Sequence, residues 1–253
     1  MSGPANPDCP QCGGTGWASA AGSSDVQRCS CFREPRAGRR LERAGIPRRY
    51  RHCAMSNFET EFLNADPSLG GSVMKCQRYV DGFADIEDGL LFVGPVGVGK
   101  THLAVGVLRG LMEQHGVSGL FVDYRDLLRN IQDSYNSVSE TSELQVVRPL
   151  LQADVLLLDE LGARRPSAWV FDTVSHVLND RYNNRRPTLI TTNYADGGDD
   201  EMAPPDGDTP RGGTATLQDR IGGRLRSRLY EMCIPVRVRG NDFRREMKRA
   251  GYR

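Results

Sequence analysis

The sequence predicts an α/β fold, a parallel sheet with helices on both faces, preceded by a small cysteine-bearing segment. Three observations predict this class. Short apolar runs alternate with longer amphipathic stretches, which is the order of a parallel sheet with crossover helices. The run "LLFV" at 90–93 leads into a glycine-rich loop and a helix. The run "VLLL" at 155–158 ends in two carboxylates, and ligands bind at the carboxyl ends of such strands.

Two further runs complete the predicted sheet. Residues 119–124, "GLFVDY", and 187–194, "PTLITTNY", both read as strands, and the stretch 126–152 between them reads as two helices joined by a polar loop. The composition suits a globular chain of 253 residues, with 38% hydrophobic and 26% charged residues. We expect a cytoplasmic protein without a membrane span, because no apolar run approaches about 18 residues and the N-terminus has no apolar leader.

The glycine-rich loop fits the pattern G-x-x-x-x-G-K-[ST] that cradles the phosphates of ATP. Glycines let successive backbone N–H groups face one anion, and the following helix directs its positive end at the same anion. The lysine reaches the β- and γ-phosphates, and the hydroxyl residue after it ligates Mg²⁺. Only three of the 33 lysines and arginines are lysines. A lysine in this loop therefore indicates that the position requires lysine and not the arginine that the chain uses elsewhere. The predicted ATP-binding residues are Gly94, Pro95, Val96, Gly97, Val98, Gly99, Lys100 and Thr101.

Polar residues at two other strand ends complete the predicted catalytic site. Asp159 ends a buried strand and would hold Mg²⁺ together with Thr101, directly or through water. Glu160 would act as the general base that polarises the attacking water. Asn193, at the end of another strand, would orient the water or touch the γ-phosphate. A pair of solvated carboxylates and a turn-forming asparagine are the alternatives.

Four segments in register resemble an AAA+ ATPase of the DnaC/DnaI/IstB-like group. They are "AGIPRRYRHCAMSNFE" at 44–59, "GPVGVGKTHLA" at 94–104, "VLLLDELG" at 155–162 and "RPTLITTNY" at 186–194. The C-terminal "DRIGGRLRSRLYEM" and "GNDFRREM" match the group too. The resemblance implies an ATP-dependent helicase loader in DNA replication. Its partners would be a replicative helicase, single-stranded DNA and an initiator protein.

The resemblance also implies roles for arginines near the C-terminus. Arg228 aligns with the arginine finger that reaches the γ-phosphate of a neighbouring subunit, and Arg224 is the second candidate. Arg244 aligns with the sensor arginine that touches nucleotide in its own subunit. A finger supplied by a neighbour would make hydrolysis depend on a homo-oligomer. The alternative is a basic helix on a solvated face, because residues 220–253 carry eleven basic side chains.

Four cysteines near the N-terminus predict a zinc site, with the spacing C-x₂-C-x₁₆-C-x-C. Two close pairs of thiolates can wrap one tetrahedral Zn²⁺, and so small a polar segment would hardly fold without metal. His52 or Cys53 is an alternative for one ligand, and an unfolded cysteine-bearing tail is the alternative to the site as a whole. The predicted ligands are Cys9, Cys12, Cys29 and Cys31.

The predicted organisation has three parts. Residues 1–43 form the zinc-binding, partner-contacting domain, 44–60 the linker, and 61–253 the AAA+ domain with a flexible acidic insertion at 195–214. The segment after the magnesium strand holds candidate DNA contacts, Arg164, Arg165 and Trp169, which suit backbone attraction and base stacking. A tryptophan packed in the core with two surface arginines is the alternative.

Two other functions compete with helicase loading. One is an IstB-like transposition helper that coats target DNA with ATP; the usual N-terminal part of such proteins lacks this cysteine set. The other is a zinc-containing adaptor whose ATP site acts as a switch without turnover. Glu160 and Asn193 favour hydrolysis over the switch.

Overall fold

A computed structural model describes residues 8–19, 26–29, 41–62, 64–135, 142–164, 166–195 and 215–245. Two of the predicted site residues, Cys31 and Arg165, lie outside these ranges, as do residues 196–214 of the predicted insertion. Near the N-terminus, strands β1 (Trp17–Ser19) and β2 (Val26–Arg28) form an antiparallel pair.

The main sheet has five parallel strands in the spatial order β4-β5-β6-β3-β7, which confirms the predicted parallel sheet. Its strands are β3 (Gly89–Val93), β4 (Gly119–Asp123), β5 (Val155–Asp159), β6 (Thr188–Thr192) and β7 (Cys233–Arg237). The sequence analysis missed β7. Its run "CIPVR" includes Pro235, which an edge strand tolerates because its outer face needs no ladder donor. The helix that carries Arg228 directly precedes this strand.

Within the described ranges, six α-helices connect and cover the strands. They are α1 (Leu69–Asp81), α2 (Lys100–Gln114), α3 (Tyr124–Asp133), α4 (Glu143–Gln152), α5 (Ala168–Asn183) and α6 (Leu217–Met232). The predicted helix pair in 126–152 corresponds to α3 and α4. Helix α6 is kinked at Gly222, whose φ of 74° is left-handed. None of the helices in the described ranges is long and apolar enough to cross a membrane.

Each face of the sheet has its own apolar core, because alternate strand residues point in opposite directions. Leu90 and Phe92 of β3 pack on the face that α1 and α2 cover. Leu91 and Val93 pack on the other face, against α3 to α6. The prediction of helices on both faces is confirmed.

The segment 44–60 packs along the first face of the sheet as part of its core. Ala44, Ile46 and Cys53 are buried there, and the Ala44 carbonyl accepts a 2.7 Å hydrogen bond from the Phe121 N–H at the edge of β4. Arg109 of α2 donates to the carbonyls of residues 51 and 53 at 2.8 and 3.0 Å. This segment is therefore fixed to the helix that follows the glycine loop.

A buried arginine joins the elements at the amino-terminal edge of the sheet. Arg181 of α5 is 0% exposed and has no carboxylate partner among the described residues. Its guanidinium donates to the Thr188 hydroxyl and to four backbone carbonyls, those of Leu150, Ala153, Asp154 and Pro187. Burial lowers the pKa of Arg181 to about 10, so it stays protonated at neutral pH.

Candidate active site

The glycine loop runs from the end of β3 to the start of α2, as its pattern predicts. Gly97 and Gly99 have φ values of 85° and 96°, which favour glycine. Space is restricted as well: a Cβ on Gly97 would lie 2.1 Å from Asp242 Oδ1, and one on Gly99 would lie 2.5 Å from the Phe58 ring. The bare glycine backbone is therefore required at both positions.

Lys100 points into the loop that it follows. Its Nζ donates to the Pro95 carbonyl at 2.6 Å, and the residue is only 6% exposed. Burial lowers the pKa of Lys100 to about 8, although Asp159 and Glu160 act in the opposite direction. The buried Lys100 ammonium has exchanged its hydration water for one carbonyl acceptor, so an anionic ligand would stabilise its charge.

The predicted magnesium residues meet at the carboxyl edge of the sheet. Thr101 Oγ1 donates to Asp159 Oδ1 at 2.9 Å, and the buried Thr191 donates to the same oxygen at 2.6 Å. Burial raises the pKa of Asp159, and the two hydroxyl donors lower it by stabilising the carboxylate. A carboxylate beside a threonine hydroxyl provides the oxygen ligands that Mg²⁺ prefers.

Glu160 follows with a left-handed backbone, at φ 59°. Its N–H donates to Thr191 Oγ1 at 2.9 Å, so one hydroxyl holds both carboxylate residues. Its Oε2 lies 2.9 Å from the guanidinium of Arg125, the second residue of helix α3. No ion pair among the described residues involves its Oε1.

A cavity of about 300 Å³ opens beside the loop. Loop residues, Glu160, Thr191 and Asn193 form one side. The segment 44–62 and the turn after β7 supply an aromatic side, formed by Tyr50, Phe58, Phe62 and Phe243. A cleft that combines phosphate-binding residues with aromatic rings suits a nucleotide.

The predicted arginines divide between the cavity and the surface. Arg244 lines the cavity, as the sensor prediction requires. Arg228 does not: it donates to Asn179 Oδ1 and lies 5.2 Å over the Tyr182 ring of its own chain. Arg224 is exposed on the same helix.

Sequence reasoning missed several residues of this site. Thr191 and Arg125 contact the carboxylates directly, and the aromatic side comes from segments that lie far apart in the chain. The signal for Thr191 was present, because two adjacent threonines follow the apolar Leu189 and Ile190 in a run that was already predicted as a strand. Arg125 had no comparable signal in a chain so rich in arginine.

Three of the four predicted zinc ligands lie in the described ranges, and their sulfurs converge. The sulfurs of Cys9, Cys12 and Cys29 all lie within 4.8 Å of one another, and those of Cys9 and Cys29 are 3.6 Å apart. Zinc bound to thiolates at about 2.3 Å holds its sulfurs about 3.8 Å apart. The Gly16 N–H also donates to Cys12 Sγ at 3.3 Å. The thiol geometry therefore fits zinc, and His52 and Cys53 are not part of this group.

Two of the three candidate DNA-contacting residues, Arg164 and Trp169, lie in the described ranges, and both are exposed. Trp169, in the first turn of helix α5, has 40% of its surface accessible, and its ring lies 4.3 Å from that of Tyr135. The alternative of a tryptophan packed in the core is thus wrong for this side chain. Arg164 is also exposed.

The fold and the loop contacts define an AAA+ nucleotide-binding protein of the P-loop class. The chain belongs to the family of IstB-like ATP-binding proteins, whose model matches residues 35–250.

Comparison with individual proteins gives the same class. The chain is 28% identical to the replicative helicase loader DnaC of Escherichia coli K12 over 171 residues, which cover 66% of this chain and 67% of that protein. The crystal structure of the DnaC helicase loader is similar with a TM-score of 0.60 and 29% identity, covering 76% of this chain and 99% of that one. The DnaI structure shares the fold, with a TM-score of 0.57 and 22% identity, covering 77% and 95% of the two chains.

Proposed function

We propose that this protein is an ATP-hydrolysing helicase loader, which binds Mg²⁺ and ATP and places a replicative helicase on DNA. The observation that carries the proposal is the Thr101–Asp159–Thr191 group beside the Lys100 loop, in a chain that is similar to helicase loaders over most of its length. The competing adaptor hypothesis needs the same binding site without turnover.

The proposed chemistry assigns one task to each group. Lys100 and the loop amides hold the β- and γ-phosphates, while Asp159 and Thr101 hold the metal. A bound Mg²⁺ would supply positive charge that stabilises the phosphates. Glu160 accepts the proton of the attacking water through Oε1, and Asn193 orients that water. Arg244 contacts the phosphates from the turn after β7.

Two variants test this chemistry. Lys100→Ala should abolish ATP binding, because the buried loop loses its cation. Glu160→Gln should retain binding but stop hydrolysis, because an amide cannot accept the proton. The measurements are equilibrium nucleotide binding and phosphate release. Normal turnover in Glu160→Gln would exclude Glu160 as the base, and undetectable turnover in the wild type with partner and DNA present would favour the adaptor.

We also propose that hydrolysis needs a homo-oligomer with a shared arginine. Arg228 is the first candidate, from its alignment, and Arg224 is the second, from its exposure. Arg228→Ala and Lys100→Ala should each be inactive alone and partly active when mixed, since some interfaces then combine an intact loop with an intact finger. Arg224→Ala mixed with Lys100→Ala is the matched experiment. A mixture that co-assembles without recovering turnover would exclude that arginine.

Zinc binding is the third part of the proposal, with Cys9, Cys12, Cys29 and Cys31 as ligands. The geometry of the first three sulfurs supports it, and the spacing supports the fourth. Purified protein should hold about one zinc per chain. Elemental analysis under reducing conditions measures this, with Cys31→Ser compared against the buried Cys76→Ser as control. Equal zinc content in the two variants would exclude Cys31.

The last part of the proposal concerns the partners of the protein. A replicative helicase, single-stranded DNA and an initiator are proposed from the relatives, and the exposed Trp169 with Arg164 and Arg165 is proposed to contact DNA. A pull-down from the native lysate, read by mass spectrometry, should recover the helicase. The transposition helper remains the second candidate, because the matching family is described as IstB-like ATP-binding proteins. Recovery of a transposase, with ATP-dependent coating of duplex DNA, would support that function instead.

A further inference from the structure

A short turn of the segment before the ATPase sheet supplies a cation to the cavity. The 3₁₀ turn Arg48–Tyr50 has two adjacent arginines, and both are exposed. Only Arg49 lines the cavity; Arg48 does not. The guanidinium of Arg49 lies 4.8 Å over the ring of Tyr50, which also lines the cavity. The turn therefore orients one of two identical side chains toward the site.

The Arg49 guanidinium is available to bind an anionic ligand. Arg49 has no carboxylate within ion-pair distance among the described residues, and its one recorded contact is with the Tyr50 ring. Glu160, by contrast, is already paired with Arg125. A guanidinium without an anion, beside a loop built for phosphates, provides an unused set of donors.

Tyr50 indicates which end of a nucleotide Arg49 would meet. The Tyr50 ring packs 6.2 Å from the ring of Phe121 in β4, and β4 pairs with β5, the strand that ends at Asp159. Arg49 and Tyr50 line the same cavity as Glu160 and Asn193. We therefore place the pair on the side of the cavity where the terminal phosphate would be held.

From this geometry we propose that Arg49 is a further nucleotide-contacting residue, which donates to the γ-phosphate of bound ATP. This inference rests on the proposed ATP site. Because the turn belongs to the segment that joins the cysteine-bearing part to the sheet, Arg49 would make that segment distinguish ATP from ADP. It is a specificity residue for the triphosphate.

Calorimetric titration tests this with Mg²⁺ and either a non-hydrolysable ATP analogue or ADP. Arg49→Ala should weaken binding of the analogue about tenfold and leave ADP binding within about twofold, since one charge-assisted hydrogen bond to the γ-phosphate is lost. Arg48→Ala is the matched control and should leave both affinities unchanged. Thermal unfolding of each variant should match the wild type, because both side chains are exposed.

Hydrogen exchange provides a second measurement. The analogue should slow exchange of the amides in 44–60 more than ADP does, and Arg49→Ala should remove that difference. Equal losses of affinity for the analogue and ADP, no loss at all, or the same loss in Arg48→Ala would overturn the inference. Such results leave wild-type ATP binding and its dependence on Lys100 intact, whereas a wild type without nucleotide binding would overturn the proposed ATP site itself.

Discussion

Thr191→Val removes the hydroxyl that joins the two carboxylate residues of the site, at nearly constant volume. The side chain is 1% exposed, donates to Asp159 Oδ1 at 2.6 Å and accepts from the Glu160 N–H at 2.9 Å. Thr192 is a close control, because its buried hydroxyl donates to the Leu161 carbonyl at 2.9 Å and accepts from the Tyr194 N–H at 3.2 Å. The two positions differ mainly in the charge of the acceptor.

The acceptor determines the expected magnitude. A hydrogen bond to a neutral group contributes about 0.5–1.5 kcal/mol, and one to a charged group about 1.5–3 kcal/mol. Each valine also leaves one backbone N–H without its partner, at a similar cost in both variants. Thr191→Val should therefore lower the free energy of unfolding by about 1–1.5 kcal/mol more than Thr192→Val at neutral pH.

The pH dependence of this difference in unfolding free energy shows whether it comes from the charge of Asp159 or from altered packing. Asp159 has a pKa above its ordinary value in the folded state. Its contribution to the free energy of unfolding is therefore fully present below the pKa of an unfolded aspartate, about 3.9, and is lost as pH rises through the folded-state pKa. Thr191→Val removes a donor to the carboxylate and raises the pKa of Asp159 further. The extra destabilisation should appear at neutral pH and vanish near pH 4.

Urea unfolding of both variants at pH 7 and near pH 4, without nucleotide, measures these differences. Turnover should also fall in Thr191→Val, because Glu160 loses its backbone anchor, and be retained in Thr192→Val. Equal destabilisation of the two variants at both pH values would refute the reasoning, since the charge of Asp159 would then have no role.

Three further predictions follow from the site. Affinity for ATP should fall about tenfold per pH unit above about 8, because Lys100 must be protonated to bind phosphate and its pKa is about 8. In the control variant Lys100→Arg, a binding titration should find the same affinity for ATP from pH 7 to 9. Gly99→Ala should weaken nucleotide binding, and a second change, Phe58→Ala, should restore only part of it, because the clash is relieved but the left-handed φ remains. Arg125→Ala should change kcat and leave KM for ATP nearly unchanged, because Arg125 contacts Glu160 and not the loop; an equal change in Arg129→Ala would contradict this.

The sequence contained enough to predict the sheet and the phosphate end of the site. Apolar runs such as 155–158 are long and uniform, and the loop pattern fixes its own backbone through glycines. Asp159 and Glu160 could be predicted because they end a strand, and strand ends in a parallel sheet share one edge.

The other contacts depend on which strands become neighbours. Arg125 meets Glu160 because β4 pairs with β5, with Asp123 opposite Asp159, and no local pattern encodes that pairing. Phe58 and Phe243 meet at the cavity although 185 positions separate them. Strand β7 was missed because an edge strand needs neither a continuous apolar run nor every backbone donor.

The buried Arg181 has a consequence for how this chain can vary. Its charge is solvated entirely by neutral oxygens, so a carboxylate lost elsewhere does not leave it without a partner. An ammonium has three donors at one point and cannot reach oxygens spread around a planar group. Position 181 therefore requires the planar shape of a guanidinium and not merely a positive charge. Added salt should leave the packing of α4, α5, β5 and β6 around Arg181 unaffected.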